Sequence, residues 1–328
     1  MNIPVVALTM GDPNGIGPEI IVKTLRSWDF PAKPLVIGDR MVLREAERLT
    51  GPAISWEEGD WNRESLAPAY IDISDKTPHL LEWGTVRASA GLSAFQSIKK
   101  AIELAREGLV DAISTAPINK EALHQAEVPF IGHTEIFQEL TGSDRALTMF
   151  QVKDLRVFFL TRHLSLSRAI EEVRREPVIR FLKDMYGYLR RLGLAAPRIA
   201  VAALNPHAGE GGLIGREEQD ELEPAVAEAR RHGMEVSGPY PADSIFWFAY
   251  QGKYDAVLSL YHDQGHIATK CIDFYGTVSV TLGLPFIRTS PDHGTAFDLA
   301  GKGTANEHSM KEACRWASRY ALSYRESL

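Results

Sequence analysis

Three histidines each follow a short aliphatic run of the chain, at the position where a parallel strand would end. They are His163, His207 and His262. Because sites in open α/β sheets form beyond the carboxyl ends of strands, three such side chains can converge there on one divalent ion. Three neutral imidazoles also leave coordination positions open for a substrate, as a catalytic metal needs. Taken singly, each is more typical of a hydrogen-bonded surface histidine.

A fourth histidine, His266, lies four residues after His262, so the two would share one face of a helix. This spacing occurs in zinc sites, but the chain has no HExxH motif, which disfavours a zinc peptidase. We therefore expect His266 to be a neighbour of the site more readily than a ligand.

Three other segments carry groups suited to an anion. The glycine-rich stretch 11–19 follows a predicted strand and leads into a helix, whose N-terminus attracts negative charge. Arg288 is followed by a threonine and a serine, which add hydroxyl donors. The segment 132–135, Gly-His-Thr-Glu, opens another helix. The alternatives are a tight turn at 11–19, a solvated loop around Arg288, and Thr134 as a simple helix cap.

The elements that would position these residues alternate between strand and helix. Short β-branched or aliphatic runs bounded by Gly, Pro, Asp or Asn predict strands, and segments with apolar residues at helical spacing lie between them. This alternation indicates α/β layers around a largely parallel sheet. The predicted strands cover residues 3–10, 34–37, 70–73, 110–115, 155–160, 198–204, 256–260 and 277–282.

Bulk composition narrows the function classes. The chain has 328 residues, enough for two lobes, with 45% apolar residues and a net charge of −7. It shows no Lys/Arg stripe for nucleic acid and no apolar run long enough to span a membrane. The two cysteines, Cys271 and Cys314, suggest neither a disulfide framework nor a thiolate metal site. We expect a cytoplasmic protein.

Six motifs spread over nearly the whole chain carry a family resemblance. The sequence resembles the 4-hydroxythreonine-4-phosphate dehydrogenases of pyridoxal phosphate biosynthesis and their relatives. The motifs are specific together, although none is so alone. They are TMGDPNGIGPEI at 9–20, STAPINKEAL at 114–123, GHTE at 132–135, LNPHAGEGGLIGREE at 204–218, YHDQGH at 261–266 and TLGLPFIRTSPDHGTAFDLAG at 281–301.

The resemblance implies a fold and a site. The fold is that of the isocitrate and isopropylmalate dehydrogenase group, with two α/β lobes and the active site in the cleft between them. One lobe would comprise residues 1–135 and about 285–328, and the other about 136–284. His163, His207 and His262 match the metal ligands, with the ion completed across a homodimer interface.

The resemblance also implies substrate-binding residues, and the sequence offers further candidates beside them. His133, Thr134, Lys270 and Arg288 match substrate-binding positions, and Ser279 stands where the family usually has asparagine. Lys270 would transfer a proton or bind a carboxylate. Asp263 and Asp243 are candidates for a base or for a partner that orients a histidine. The candidates for cofactor contacts are Asn205, Gly209 and Gly212.

The expected reaction is the NAD-dependent, metal-assisted oxidation, with decarboxylation, of 4-phosphohydroxy-L-threonine to 3-amino-2-oxopropyl phosphate. NADP is an alternative cofactor, and the metal could be Zn, Mg, Mn or Co. Ser279 and His266 favour an alternative substrate, 4-phospho-threonate or 4-phospho-erythronate. Two remoter alternatives are a metal-dependent hydrolase that works without NAD and a binding protein that has lost catalysis.

Overall fold

The computed structural model of the chain describes residues 3–57, 61–74 and 81–326. The chain divides into a first unit of residues 1–147 and 278–328 and a second unit of residues 148–277. It therefore leaves the first unit once and returns to it once. The divisions expected from the resemblance lay after residue 135 and at about residue 285.

Strands and helices alternate through the described residues. The strands are β1 (Val5–Thr9), β2 (Lys33–Gly38), β3 (Ala69–Asp72), β4 (Ala112–Thr115), β5 (Leu147–Val152), β6 (Leu155–Phe159), β7 (Ile199–Ala202), β8 (Val236–Tyr240), β9 (Ala256–Ser259), β10 (Val278–Leu282) and β11 (Ile287–Pro291). The helices are α1 (Gly17–Arg26), α2 (Arg40–Thr50), α3 (Ala88–Arg106), α4 (Lys120–Gln125), α5 (His133–Thr141), α6 (Leu166–Glu171), α7 (Arg175–Arg191), α8 (Glu223–Arg231), α9 (Ala242–Tyr250), α10 (His262–Ile272) and α11 (His308–Glu326).

In the first unit the strand order is β3-β2-β1-β4-β11-β10. All neighbours pair in parallel except β10 and β11, which are antiparallel. The strands of the sheet centre are fully buried, so they read as continuous apolar runs rather than as alternating ones. Helix α3 packs its apolar face, including Ile98 and Ile102, into the same buried cluster as Leu35 and Ile113.

In the second unit the order is β5-β6-β9-β7-β8. Strands β6, β9, β7 and β8 are parallel, and β5 pairs antiparallel with β6. The buried cluster of this unit includes Phe150, Phe159 and Val257 from the sheet and Ile245 from α9. Because β6, β9 and β7 are parallel neighbours, their carboxyl ends lie at one edge, which is where the three predicted metal histidines follow them in sequence.

The predicted α/β class with a largely parallel sheet is confirmed. Each predicted strand is present, with ends shifted by at most two residues. The alternative of a solvated loop around Arg288 is wrong, since this residue lies on the fully buried strand β11. A π-helical turn, Glu218–Leu222, leads directly into α8. No helix within the described residues combines the length and apolar composition that a bilayer span requires.

Candidate active site

A cavity of about 330 Å³ lies in the second unit, beside the carboxyl ends of β6 and β9. It holds two of the three predicted metal ligands, His163 and His262. Their ring centroids are 6.2 Å apart. Both rings reach solvent, so the pair is accessible to an ion from outside. The full lining is Arg162, His163, Leu164, Leu166, Ala169, Tyr261, His262 and Asp263.

Asp263 contacts the His262 ring directly. Its Oδ1 lies 2.7 Å from Nδ1 of His262. A carboxylate in this position favours the tautomer with the proton on Nδ1, and it leaves Nε2 free to bind a metal. The geometry therefore suits Asp263 as the group that orients His262, while its alternative role as a base stays a prediction.

His266 lies one helical turn after His262 on α10, with the ring centroids 4.1 Å apart. Its ring packs against Phe150 and stacks on Phe159, at 4.2 and 4.7 Å. Burial lowers the pKa of His266 to about 4, and the neighbouring His262 adds to that effect. A neutral imidazole packed on two phenylalanines is suited to supporting the His262 ring from behind.

His207 lies in a segment of unusual backbone conformation, Pro206–Gly212, which we call the left-handed turn. The φ angles of residues 207–211 are all positive, between 47° and 78°. His207 is 66% exposed, and its Nδ1 lies 3.5 Å from a carboxylate oxygen of Glu210. Within the described residues of this one chain, no three His, Cys, Asp or Glu side chains approach closely enough to hold a metal ion.

The donor set still fits a divalent metal in part. His163 and His262 supply two imidazoles at one cavity, and His262 has a carboxylate partner on its Nδ1. His207 has a carboxylate near the same ring atom. Neutral imidazole with an orienting carboxylate is a ligand type that zinc and other transition metals accept. The part of the chain described here thus provides two adjacent candidate ligands, and a third on a separate turn.

The other predicted residues of the second unit are distributed as follows. Lys270 lies two turns after His262 on α10, with its Nζ 5.2 Å from the centre of the Phe274 ring. Asp243 is exposed in the first turn of α9. Asn205, proposed for cofactor contacts, has its amide nitrogen bonded to the carboxylates of Glu217 and Glu218 at 2.7 and 2.9 Å. Gly209 and Gly212 both lie in the left-handed turn.

The first unit contains a separate cationic cluster around Arg288. This side chain is only 5% exposed. Its guanidinium donates to Thr115 Oγ1 at 2.6 Å and to Thr281 Oγ1 at 3.2 Å. Burial lowers the pKa of Arg288 to about 9, which still leaves it charged at neutral pH. A buried cation with no carboxylate among these hydrogen-bond partners is a strong attractor for an anion.

His133 adds to this cluster from the first residue of α5. Its buried Nε2 has no hydrogen-bond partner among the described residues. Burial, and secondarily the charge of Arg288, hold the pKa of His133 well below its usual range. The helix N-terminus adds backbone N–H groups, so the cluster resembles a binding site for phosphate or carboxylate.

Two further candidate site residues, Thr134 and Ser279, also belong to the first unit. Thr134 is the second residue of α5, and the helix is capped by Gly132 without a side-chain bond, so the interpretation of Thr134 as the cap is wrong. Ser279 lies two residues before Thr281 on β10, and side chains at that spacing share one face of a strand. Ser279 therefore faces the same side of the sheet as Thr281, the partner of Arg288.

The glycine-rich stretch 11–19 is a tight connection from β1 to α1. Asp12 is fully buried, its N–H donates to Pro117 O at 2.9 Å, and its Oδ1 accepts from Asn14 N–H. The conformation of Gly11, with φ 72°, and the approach of Pro117 O to 2.3 Å of a built Cβ explain the glycine there. Local sequence pattern indicates no role for Arg162 or Glu218, because their partners Thr148 and Asn205 lie 14 and 13 residues away. It also does not show that Asp12 is fully buried.

The fold and these clusters define a two-unit α/β enzyme with a histidine site in one unit and an anion site in the other. The sequence profile of one family, described as pyridoxal phosphate biosynthetic protein PdxA, matches residues 31–317. The chain belongs to this family. It is thus an enzyme of a family of dehydrogenases that act on a CH–OH group.

Relatives with similar sequences carry a more specific name. A protein of Symbiobacterium thermophilum, provisionally named D-threonate 4-phosphate dehydrogenase, is 52% identical over 99% of this chain and 98% of its own length. A protein of Halalkalibacterium halodurans with the same provisional name is 47% identical over 97% of each chain. The crystal structure of 4-hydroxythreonine-4-phosphate dehydrogenase from Klebsiella pneumoniae matches with a TM-score of 0.88 at 42% identity, covering 97% of this chain and 98% of that one.

Proposed function

We propose that this enzyme oxidises a four-carbon sugar acid 4-phosphate, with D-threonate 4-phosphate as the leading substrate, using NAD and a divalent metal. The observation that carries the substrate class is the buried, charged Arg288 together with His133 Nε2, which has no hydrogen-bond partner among the described residues, a combination that suits a phosphorylated acid. The substrate choice rests on the 52% identical relative with that name. It replaces 4-phosphohydroxy-L-threonine, which the sequence favoured first, as the leading candidate.

Each cluster would have its own task. Arg288 would pair with the phosphate, and His133 would offer it a further hydrogen bond together with the N–H groups that open α5. His163, His207 and His262 would hold the metal, with Asp263 keeping the His262 ring in one orientation. Lys270 would hold the substrate carboxylate or move a proton.

The chemistry then requires loss of a hydride from the C3 carbinol carbon and of the proton from its hydroxyl. When bound, NAD supplies the hydride acceptor and a divalent metal supplies polarisation of that hydroxyl. The resulting ketone is β to the carboxylate, so carbon dioxide can leave and a proton is returned to the carbon. Lys270 is the group of this chain that would exchange those protons, with Asp263 as the alternative if it does not serve to orient His262.

We further propose that the enzyme is a cytoplasmic homodimer whose metal site takes His207 from the second copy. His207 is on a turn apart from the His163–His262 cavity, and its neighbours Leu213 and Ile214 are exposed, Leu213 by 87%. Several other exposed large apolar side chains belong to the same second unit, and pairing with a second copy would remove such side chains from water. They are Leu164, Leu166, Trp247, Phe248, Ile267, Phe274 and Tyr275.

Mixing two inactive variants tests the shared site. If His207 comes from the other copy, a mixed dimer of His163→Ala and His207→Ala contains one intact site, and re-associated mixtures should recover about a quarter of parental activity. A mixture as inactive as its two parents, in a preparation that light scattering shows to be dimeric, would contradict the shared site.

The substrate is tested by following NADH formation at 340 nm with added Mg²⁺, Mn²⁺, Co²⁺ or Zn²⁺. D-Threonate 4-phosphate, D-erythronate 4-phosphate and 4-phosphohydroxy-L-threonine are compared by kcat/KM. We expect the sugar acids to exceed the amino acid by at least about tenfold, equivalent to about 1.4 kcal/mol of transition-state binding. Turnover of none of the three would refute the proposed substrate class, and product formation without NAD would support a hydrolase.

4-Phosphohydroxy-L-threonine is the second candidate because the Klebsiella pneumoniae enzyme, 42% identical, carries the corresponding name. The two substrates differ only at C2, where threonate has a hydroxyl and hydroxythreonine an ammonium group. Preference for the amino acid in the same assay would assign the chain to that activity and make Ser279 a tolerated change.

A further inference from the structure

The left-handed turn that carries His207 is conformationally unfavourable for this sequence. Three of its residues with positive φ are not glycine: His207 at 53°, Ala208 at 56° and Glu210 at 47°. L-residues avoid this region because Cβ crowds the following carbonyl oxygen, so a run of them persists only where surrounding contacts enforce it. Something outside the turn must therefore hold it.

Glu218, in the π-helical turn that follows, makes those contacts. Its Oε1 accepts from the backbone N–H of Leu204 at 2.9 Å and of Asn205 at 2.7 Å. Its Oε2 accepts from the side-chain amide of Asn205 at 2.9 Å. These hydrogen bonds fix the chain at the entry to the turn, two residues before His207.

Glu218 also lies against the middle of the turn. A Cβ built on Gly209 would lie 2.8 Å from Glu218 Oε2, so the turn and the carboxylate fit only while residue 209 has no side chain. Gly211, with a similar φ of 65°, has nothing within 4 Å of its built Cβ. The contact is therefore specific to the Gly209 side of the turn.

Burying the carboxylate of Glu218 costs desolvation free energy. The residue is 1% exposed, and its hydrogen-bond donors among the described residues, the N–H groups of Leu204 and Asn205 and the Asn205 side-chain amide, are all uncharged. A buried carboxylate held only by neutral N–H donors adds less to stability than a well-packed apolar group would. The carboxylate contributes by fixing the backbone conformation, because one side chain accepts from two consecutive backbone N–H groups and from a side-chain amide.

We infer that Glu218 is a positioning residue for metal binding: it holds the left-handed turn so that the His207 imidazole is presented to the ion. This inference rests on the proposed role of His207 as a metal ligand. The residue acts through the backbone of 204–209 and touches neither the metal nor the substrate. Loss of the contact should relax the turn and weaken metal binding while leaving the second unit folded.

The test measures Co²⁺ affinity of the full-length apoenzyme by its visible absorption and by calorimetry. Glu218→Gln keeps the volume but turns one acceptor into an N–H donor facing the Asn205 amide. Outer partners of metal ligands typically contribute 10–100-fold in affinity, so we expect Co²⁺ to bind at least about tenfold more weakly. Asp220→Asn, an exposed carboxylate in the same π-helical turn paired with Arg216, should bind as the parent does.

A second pair of variants changes glycines of the left-handed turn instead of Glu218. Gly209→Ala brings a Cβ to 2.8 Å from Glu218 Oε2 and 3.1 Å from Gly215 O, whereas Gly211→Ala, at a similar φ, has nothing within 4 Å of its Cβ. We expect weakened Co²⁺ binding and an altered Co²⁺ spectrum only for Gly209→Ala. Because the two alanines carry matched strain, a general loss of stability would affect both, and this pair decides the matter if Glu218→Gln does not fold.

His207→Ala distinguishes failure of the positioning role of Glu218 from failure of the ligand role of His207. If it weakens Co²⁺ binding but Glu218→Gln and Gly209→Ala do not, the positioning role of Glu218 is refuted and the metal site stands. If His207→Ala binds Co²⁺ as tightly as the parent, the ligand role of His207 falls, and the inference falls with it.

Discussion

Asp12 gives the clearest quantitative prediction, because its carboxyl group is buried without a cation. It is 0% exposed, Oδ1 accepts one backbone N–H from Asn14, and Oδ2 has no hydrogen-bond partner among the described residues. Burial raises the pKa of Asp12 from 3.8 to about 6, against a smaller lowering effect of the Asn14 N–H. The folded protein therefore binds this proton more tightly than the unfolded chain does.

The sign of the pH dependence follows. Stability from the protonated carboxyl is fully present below pH 3.8 and is lost as the pH rises through 6. A difference of about two pKa units corresponds to about 3 kcal/mol, of which about 2 kcal/mol falls between pH 4.5 and 7.5. Asp12→Asn keeps the size and one acceptor oxygen but cannot ionise. The free energy of unfolding of this variant should therefore gain about 2 kcal/mol on the parent over that interval.

The assay is urea unfolding of both proteins, followed by tryptophan fluorescence at pH 4.5, 6.0 and 7.5. Only the difference between the two proteins at each pH is used, because the other titrating groups are common to both. Asp144→Asn, an exposed carboxyl of the same unit, is the control and should show a difference that does not change with pH. A flat difference for Asp12→Asn, or one that grows towards low pH, would refute the buried-carboxyl reasoning.

Three further predictions concern the two clusters. Arg288→Lys removes the planar fork that donates to both Thr115 and Thr281, so KM for the phosphorylated substrate should rise by about tenfold or more in protein that is still folded by circular dichroism. An unchanged KM would remove Arg288 from the phosphate site. Asp263→Asn should weaken Co²⁺ binding by about 10–100-fold in the titration described above, because His262 loses its orienting carboxylate, and parental affinity would make that contact incidental. Arg162→Gln should lower the ratio of kcat/KM for threonate 4-phosphate to kcat/KM for 4-phosphohydroxythreonine by about tenfold, because a guanidinium in the histidine cavity repels the ammonium group at C2. A ratio equal to the parental one would show that Arg162 does not discriminate between the two substrates.

Much of the fold was predictable because buried parallel strands are continuous apolar runs with clear boundaries. The strands that pattern did not reveal are β5, β8 and β11. Strand β8 contains a Gly-Pro pair, and β11 reads Ile-Arg-Thr-Ser-Pro, which looks like a solvated loop. In the fold, Arg288 donates to Thr115 on the neighbouring strand β4, 173 residues away in sequence. No local pattern predicts that contact.

In the candidate site, the sequence predicts which residues lie close together better than it predicts backbone conformation. Strand ends in a parallel sheet share an edge, so the proximity of His163 and His262 followed from secondary structure alone. The conformation of the His207 turn did not, because it depends on Glu218, which reaches back 13 residues to the N–H of Asn205. The amide nitrogen of Asn205 donates to two carboxylates, contacts that the local sequence does not reveal, and its role in binding a cofactor stays a prediction.

The same feature recurs in both units, and it bears on which residues are functional. Arg288, Asp12 and Glu218 are charged or ionisable groups buried without an opposite charge among their hydrogen-bond partners. Groups of this kind lower stability relative to apolar residues of the same size, so a fold gains nothing from them as packing. Asp12 and Glu218 each support a connection at the end of a parallel strand, where sites in such sheets form, whereas Arg288 lies within strand β11. Arg288 has the charge to bind an anion, and Glu218 has the geometry to hold a ligand. Burial raises the pKa of Asp12 to about 6, and its Oδ2 has no hydrogen-bond partner among the described residues, so ionisation of Asp12 should destabilise the connection between β1 and α1 above pH 6.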